Sequence, residues 1–171
     1  MCRRTAIGGF LATTILMFGL LGASAFAADK VEGLELSKAL AQVKIAAGLT
    51  EAERESLKAA ATLRRGQAGE LIVQQGKEMG RMVIILQGKA EVRISGKLVV
   101  SLSGQSLVGE IEFLDTLPAS ADVVLLEEAD LIELNSAALN LLMEKQPRVG
   151  YVLMREIAKI EAGRLRRTNP N

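Results

Sequence analysis

The chain has 171 residues, a formal net charge of +1, no histidine and one cysteine. This length holds one domain with appended segments, because domains commonly contain about 100 to 200 residues. The absence of histidine excludes imidazole bases, Ser-His triads and ordinary zinc sites. The small net charge and the 3% content of aromatic residues argue against nucleic acid as a partner, since such proteins use a basic surface and stacking platforms.

Residues 1–27 have the layout of a secretory signal peptide. Arg3 and Arg4 form a positive start, residues 6–28 carry no charged side chain, and Ala25-Phe26-Ala27 is a cleavage site of the A-x-A type. We expect cleavage after Ala27 and a mature protein in the periplasm or outside the cell. The alternative is an uncleaved membrane anchor, because an apolar run of about 20 residues can cross a bilayer. We expect the protein to be bound to a membrane only if this segment is not cleaved.

Residues 28–49 are predicted to form a helical lead-in that lies against the domain. Their apolar residues follow a loose helical spacing, at Leu34, Leu36, Leu40, Val43 and Ile45. Thr50 and Glu53 then have the spacing of a capping box, in which each side chain satisfies a backbone donor of the other residue. A second helix is predicted from this box to about Ala61.

Short β-like runs replace the helical spacing beyond Leu63. Each run is rich in β-branched residues or alternates in polarity, and glycines separate the runs. The runs are residues 71–73, 82–86, 90–94, 97–102, 120–126 and 130–134. Ser95-Gly96 lies between two alternating runs and predicts a tight hairpin. Many short strands with evenly spaced turns favour a β-sandwich or a β-barrel.

Two helices are predicted after the strands. Asn135 is suited to cap the first, and Pro147 is suited to begin the second, longer one. The longer helix carries an apolar stripe that predicts a core contact or a dimer seam, formed by Val149, Val152, Leu153, Ile157 and Ile160. Three arginines lie at the C-terminal end of this helix, where the helix dipole favours cations. We interpret them as a solvated cluster, formed by Arg164, Arg166 and Arg167.

A two-part motif precedes these helices. Gly109-Glu110-Ile111-Glu112-Phe113-Leu114 is followed at a short distance by Pro118-Ala119-Ser120-Ala121. With the ordered glycines and the trailing helix, residues 50–167 resemble the cyclic nucleotide-binding domain family, whose cassette contains Gly-Glu-Leu-Ala-Leu and then Pro-Arg-Ser-Ala. The resemblance implies a mainly β fold with flanking helices: an eight-stranded β-roll of the double-stranded β-helix or jelly-roll type, followed by C-terminal helices and a tail at 168–171.

The resemblance also implies a ligand site at Gly109, Glu110, Ile111, Ser120 and Ala121. In the family, backbone amides and an arginine hold the cyclic phosphate, and the glutamate accepts a hydrogen bond from the ribose. Each position has an alternative interpretation. Glu110 equally suits a helix cap or an ion pair within the fold, and Ser120 and Ala121 suit close packing of a strand on the cassette.

Two positions depart from the family cassette. Ala119 stands where the family has its arginine, and Glu112 stands where it usually has a small residue. A charge-assisted hydrogen bond contributes about 1.5–3 kcal/mol, and a like charge near a phosphate adds to the loss. We therefore expect affinity for a cyclic nucleotide to be roughly 10²- to 10⁴-fold below that of an intact cassette. Arg81 or Arg93 could swing in as a substitute cation, and Glu112 is alternatively a solvated surface acid.

The leading hypothesis is an exported, non-catalytic module that acts as a small-ligand sensor or as an accessory protein. It needs neither metal nor cofactor, although a cyclic nucleotide stays among the candidate ligands. Its output would pass through a homodimer formed by the last helix or through another protein. An enzyme ranks third among the hypotheses, because the carboxylates show no paired spacing typical of acid–base catalysis.

The alternative hypothesis is a structural or protein-interaction scaffold without a small-molecule ligand. The two hypotheses predict different interiors for the roll. An open pocket with converging polar groups favours the ligand-binding module. A pocket filled by Phe113, Met82 or Leu114 favours the scaffold.

Overall fold

The computed structural model describes residues 36–168. The predicted signal peptide and its cleavage site lie outside these residues, as do Leu34 and nearly all of the predicted tail. Within the described range, no helix combines the length and the apolar character needed to cross a bilayer.

The described chain begins with helix α1, residues 36–42, and a 3₁₀ turn at Lys44–Ala46. Leu40 is fully buried and Val43 and Ile45 nearly so, which confirms the apolar stripe of the lead-in in its described part. The helix ends earlier than the lead-in segment itself, because the chain tightens into the 3₁₀ turn before reaching Thr50.

Helix α2, Glu51–Leu57, begins at the predicted capping box. The Glu53 amide donates to the Thr50 hydroxyl at 3.3 Å, and the Thr50 amide donates to the Glu53 carboxylate at 2.8 Å. The helix is shorter than predicted: a 3₁₀ turn at Lys58–Ala60 follows it, and Ala61 already pairs with a strand.

Within residues 36–168, eight strands form two antiparallel sheets of four strands each, which confirms the β-roll implied by the resemblance. The strands are β1 (Ala61–Gly66), β2 (Leu71–Val73), β3 (Arg81–Gln87), β4 (Lys89–Ile94), β5 (Lys97–Ser103), β6 (Ser106–Val108), β7 (Asp122–Leu125) and β8 (Ala129–Asn135). The first sheet has the order β1-β8-β3-β6, and the second has the order β2-β7-β4-β5.

Strands β1 and β6 were absent from the sequence prediction. β6 has only three residues, too few for a recognisable alternation. β1 contains Arg64 and Arg65, whose charges are met across the strand pair by Glu133 at 2.8 Å and Asp130 at 3.0 Å. Pairing with β8, rather than local apolar pattern, therefore makes this segment a strand.

The hairpin between β4 and β5 has the predicted turn. Ser95 and Gly96 have φ angles of 50° and 77°, and Ile94 pairs with Lys97 across them. Two consecutive residues with positive φ are typical of the two-residue turn whose twist matches that of the flanking strands.

The first sheet buries both of its faces. Along β3, Met82 and Ile84 join the helix-side core, which α1, α2 and the C-terminal helices cover. Val83 and Ile85 point to the opposite face and join the inter-sheet core, because successive side chains of a strand alternate between faces. This arrangement fixes the helices on one side of the roll and leaves its interior between the sheets.

Three helices follow β6 in the chain: α3 (Glu110–Asp115), α4 (Ser136–Lys145) and α5 (Pro147–Thr168). The Asn135 side chain caps α4 by accepting from the Ala138 amide at 2.9 Å, as predicted. Gly150 of α5 is buried, and a Cβ there would lie 3.1 Å from Cβ of Met143. That glycine therefore lets α4 and α5 approach closely.

Candidate functional site

The site begins at the turn between β6 and α3. Gly109 has a φ of 78°, in the left-handed region that favours glycine. A Cβ at this position would also lie 2.9 Å from the carbonyl oxygen of Arg81. Conformation and close contact thus both require glycine where the chain turns from the roll into α3.

A cavity of about 230 Å³ lies beside this turn. It is lined by all five predicted ligand residues and by both departures from the family cassette: Gly109, Glu110, Ile111, Glu112, Ala119, Ser120 and Ala121. Apolar side chains form much of the remaining wall, namely Val73, Val92, Val100, Leu102, Val108 and Val123, and α5 adds Glu161 and Arg164. The fold therefore brings together the two parts of the motif and the last helix, whose Glu161 lies 40 residues after Ala121 in the chain.

The side chains that could have filled this cavity lie elsewhere. Met82 is fully buried in the helix-side core, and Phe113 packs against the same core. Leu114 is 41% exposed at the surface. None of the three contributes to the cavity wall in the described structure.

Glu110 is the chemically unusual residue of the site. Its side chain is buried, with 3% of the residue exposed. Its Oε1 accepts a hydrogen bond from Arg164, whereas its Oε2 is buried without a hydrogen-bond partner among the described residues. Burial raises the pKa of the Glu110 carboxyl, and the neighbouring Arg164 charge opposes that increase.

Arg164 reaches the site from the last turns of α5. Its guanidinium donates to Glu110, to the carbonyl oxygen of Leu107 and, at 2.8 Å, to Glu161. The sequence interpretation of this residue as part of a solvated cluster is wrong, although Arg166 and Arg167 are exposed as expected. The helical spacing of α5 indicates that Arg164 faces the protein, and the sequence interpretation did not use this spacing.

The informative feature is the number of residues that separate Arg164 from the apolar stripe of the helix. Arg164 lies four residues after Ile160 and seven after Ile157, positions that share one face of a helix. Ile157 is fully buried and Ile160 packs against the helix-side core. An arginine continuing this stripe was therefore placed to face the protein.

The two substitute cations considered from sequence are engaged away from the cavity. Arg81 lies 3.2 Å from the Glu133 carboxylate, and its guanidinium also donates to the carbonyl oxygen of Ile72. Arg93 donates to Glu91 at 2.6 Å. Neither side chain lines the cavity, so among the described residues Arg164 supplies its positive charge.

Glu112 has a structural role that the sequence did not indicate. Its carboxylate accepts from the amides of Met79 and Gly80 at 2.9 and 2.8 Å, which ties α3 to the segment before β3. The alternative of a freely solvated acid is therefore wrong. Glu112 still lines the cavity, and its negative charge belongs to the wall.

Ala119 presents only a methyl group to the cavity. Its amide donates to the Lys77 carbonyl at 2.9 Å, and its carbonyl accepts from the Gly76 amide at 2.8 Å. The residue is 5% exposed and belongs to the inter-sheet core. Ala119 thus lines the cavity without adding a charged group to its wall.

The cavity wall contains three carboxylates and one guanidinium among the described residues, because Glu110, Glu112 and Glu161 are joined there by Arg164. Within residues 36–168, no cluster of three or more His, Cys, Asp or Glu side chains is arranged to hold a metal ion. The arrangement offers hydrogen-bond acceptors and an apolar surface to a small molecule.

Comparison with known proteins relates the part of the chain that forms this site to a family. Residues 63–146 match the family model of the cyclic nucleotide-binding domain. The Pycsar effector protein XpPycTIR of Xanthomonas perforans is 32% identical to this chain over 110 residues, which cover 61% of the chain and 36% of that protein. The chain thus aligns with about a third of this relative's length.

Solved structures share the fold at lower identity. A cyclic nucleotide-binding domain from Methylobacillus flagellatus KT has a TM-score of 0.68 and 19% identity, with 82% of this chain and 81% of that chain covered. The regulatory domain of Toxoplasma gondii PKA, crystallised with cAMP, has a TM-score of 0.57 and 21% identity, with 67% and 45% covered. Residues 63–146 thus match the cyclic nucleotide-binding domain family in sequence, and the chain shares the fold of solved domains of that family.

Proposed function

We propose that this protein is an exported, non-catalytic module that binds a small molecule in the cavity between the cassette motif and α5. The observation that carries the proposal is the open cavity at which the predicted ligand residues meet the Glu110–Arg164 ion pair. Small-molecule sites are typically concave and largely apolar, with a few placed polar groups. The cavity has this composition, and its volume of about 230 Å³ lies below the usual range of roughly 300–1,000 Å³, so it suits a small ligand.

The proposed signal passes through Arg164. The fully buried residues of α5 end at Ile157, and Arg164 then joins the helix to Glu110 and to Leu107. A ligand that contacts Glu110 changes the surroundings of this ion pair and thereby the position of the end of α5. The module therefore needs no catalytic group or cofactor to transmit binding.

The proposed receiver of the signal is a second copy of the chain or another protein that contacts α5. Tyr151, Met154 and Leu165 are exposed on this helix, at 63%, 37% and 63%. Sedimentation analysis with and without ligand tests the homodimer. A monomer under both conditions would leave another protein as the receiver.

Titration calorimetry on the full-length protein tests ligand binding. The panel comprises the four common ribonucleosides and their 3′,5′-cyclic monophosphates. We expect saturable binding of at least one compound, and we expect Ala119→Leu to abolish it because the larger side chain enters the cavity. Glu127→Gln, in the exposed turn between β7 and β8, is the matched control and should bind like the natural protein.

The scaffold hypothesis has one observation in its favour. β5 is an edge strand, and its Leu98, Val99 and Val100 are 57%, 57% and 46% exposed. Exposed apolar edges are surfaces on which another chain can pair. Failure of the whole panel to bind to a cooperatively folded protein would favour this function over the ligand-binding module.

Export is tested separately by expressing the full chain in a bacterium and measuring the mass of the product in each cell fraction. We expect a mature protein that begins at Ala28 in the periplasm or the medium. An uncut chain in the membrane fraction would contradict the cleavage and support the anchor.

A further inference from the structure

A second concave surface adjoins the cavity, and the side chains of Arg164 and Leu102 contribute to the walls of both. We name it the α5 groove, because it runs along residues 156–167 of α5 and is closed by Lys44 of the 3₁₀ turn and by the turn between β5 and β6. Its volume is about 460 Å³. Small-molecule sites commonly occupy roughly 300–1,000 Å³, so the groove is large enough to hold a ligand.

The charged side chains of the α5 groove are mostly basic. The described lining residues include four cations and one carboxylate, namely Lys44, Lys159, Arg164 and Arg167 with Glu156. A cleft lined by charges of one sign concentrates the electric field and attracts ions of the opposite sign. The groove therefore differs from the cavity, whose described wall holds three carboxylates and one guanidinium.

Two of the four cations are already compensated within the protein. The Lys159 ammonium lies 2.6 Å from the Glu156 carboxylate, and Arg164 is held by two carboxylates of the cavity wall. Lys44 and Arg167 are exposed and have no ion-pair partner among residues 36–168. They belong to two elements that pack against each other, the 3₁₀ turn and α5. Two cations from different elements are therefore available to a ligand in the groove.

The remaining wall offers hydrogen-bond donors and open space. Ser103 and Gln105 contribute a hydroxyl group and a carboxamide from the turn between β5 and β6. Gly163 lies between the basic residues of α5, and a Cβ at this position would meet no atom within 4 Å. The groove thus stays open where a larger residue would project into it.

We infer that the α5 groove is a second binding site, which takes a small anion with two or more negative charges, as found in polyphosphates and polycarboxylates. Lys44 and Arg167 neutralise the ligand from two sides, and Ser103 and Gln105 donate to its oxygens. A guanidinium pairs well with the two oxygens of a phosphate or a carboxylate. A singly charged anion engages one of the two cations, whereas a multivalent anion engages both.

Titration calorimetry on the full-length protein at low ionic strength tests the inference. Each multivalent probe has a singly charged counterpart: tripolyphosphate is compared with dimethyl phosphate, and citrate with acetate. We expect at least one multivalent probe to bind about tenfold tighter than its counterpart or better, and we expect added salt to weaken it. Comparison of tripolyphosphate with citrate shows whether the site prefers phosphate or carboxylate groups.

Three variants locate the site. Lys44→Gln combined with Arg167→Gln should weaken the multivalent probe by about tenfold or more. Arg155→Gln combined with Arg166→Gln removes the same charge from exposed positions of α5 outside the groove, and it should bind like the natural protein. Gly163→Leu adds a side chain inside the groove without changing the charge, and it should also weaken binding.

The inference is overturned if neither multivalent probe binds. Equal weakening by the two double variants would also overturn it, because binding would then follow the overall charge and not the groove. The double variants retain the test if Gly163→Leu impairs folding. Ligand binding in the cavity is measured with other compounds, so the proposed function stands or falls independently of these results.

Discussion

Arg164 of α5 forms an ion pair with Glu110 of α3, across a separation of 54 residues in the chain. This contact joins the last helix directly to the cassette motif. The Glu110 end is buried, whereas the Arg164 side chain keeps 29% of its surface exposed. Removal of Arg164 would therefore leave a buried carboxylate uncompensated, and both residues lie in the cavity wall.

Replacing Arg164 by Gln should destabilise the protein, because Glu110 would remain buried without its cation. We expect a loss of about 1–3 kcal/mol in the free energy of unfolding, below the value for a fully buried pair because Arg164 is partly exposed. Urea unfolding measures the change. Arg167→Gln on the same helix should have little effect, and equal stability of both variants would contradict a stabilising pair.

The double variant Arg164→Gln, Glu110→Gln separates loss of the pair from the burial of a lone charge. It should be more stable than Arg164→Gln alone, since no uncompensated carboxylate remains in the protein. Strict additivity of the two single changes would show that the residues are not coupled.

Glu112→Ala should destabilise the loop before β3, because the amides of Met79 and Gly80 would lose their acceptor. We expect a loss of about 1–3 kcal/mol in the free energy of unfolding. Glu112→Gln keeps an acceptor oxygen and should cost less. Urea unfolding of both variants beside Glu127→Ala provides the measurement, and three equal curves would rule out the anchoring role of Glu112.

Gly109 and Gly163 form a matched pair for alanine substitution. Gly109→Ala should destabilise by about 1–3 kcal/mol, because its backbone lies in the left-handed region and a Cβ would approach the Arg81 carbonyl at 2.9 Å. Gly163→Ala should instead stabilise by about 0.5–1 kcal/mol, because the site is helical and has room for a methyl group. Thermal unfolding should therefore show shifts of opposite sign, and shifts of the same sign would contradict this local interpretation.

Stability should fall in acid partly through Glu53. Its hydrogen bond from Arg148, together with the Thr50 amide, lowers the pKa of Glu53 from 4.5 to about 2. Because the folded state favours the charged carboxylate, this contribution is present above pH 4.5 and is lost as the pH falls towards 2.

Melting temperatures of the natural protein and of Glu53→Gln, measured from pH 7 to pH 2, test this dependence. We expect the difference between the two proteins to shrink below pH 4.5 and to vanish near pH 2. Glu127→Gln, in the exposed turn, controls for the loss of a surface charge. A difference that does not depend on pH would exclude the titration of Glu53 as its cause.

Several boundaries were predictable because their signals lie within a few residues. The capping box at Thr50, the Ser95-Gly96 hairpin, the Asn135 cap and the start of α5 at Pro147 all appear where predicted. Each depends on a local backbone conformation or on a hydrogen bond to a neighbouring residue, so the sequence contains the complete signal. The cassette motif belongs to the same class, since Gly109 both marks the turn in sequence and has positive φ in the structure.

The contacts of the site depended on distant parts of the chain. The sequence by itself determined the Ser95-Gly96 turn, six of the strands and the absence of a cation at Ala119, because backbone preferences and residue identities are local, and the resemblance added the β-roll. Only the tertiary structure decided that Arg164 supplies the charge facing Glu110 and that Glu112 anchors two amides 33 and 32 residues earlier. The physical reason is that electrostatic and hydrogen-bond partners are selected by proximity in space, which is set when the helices and sheets pack together.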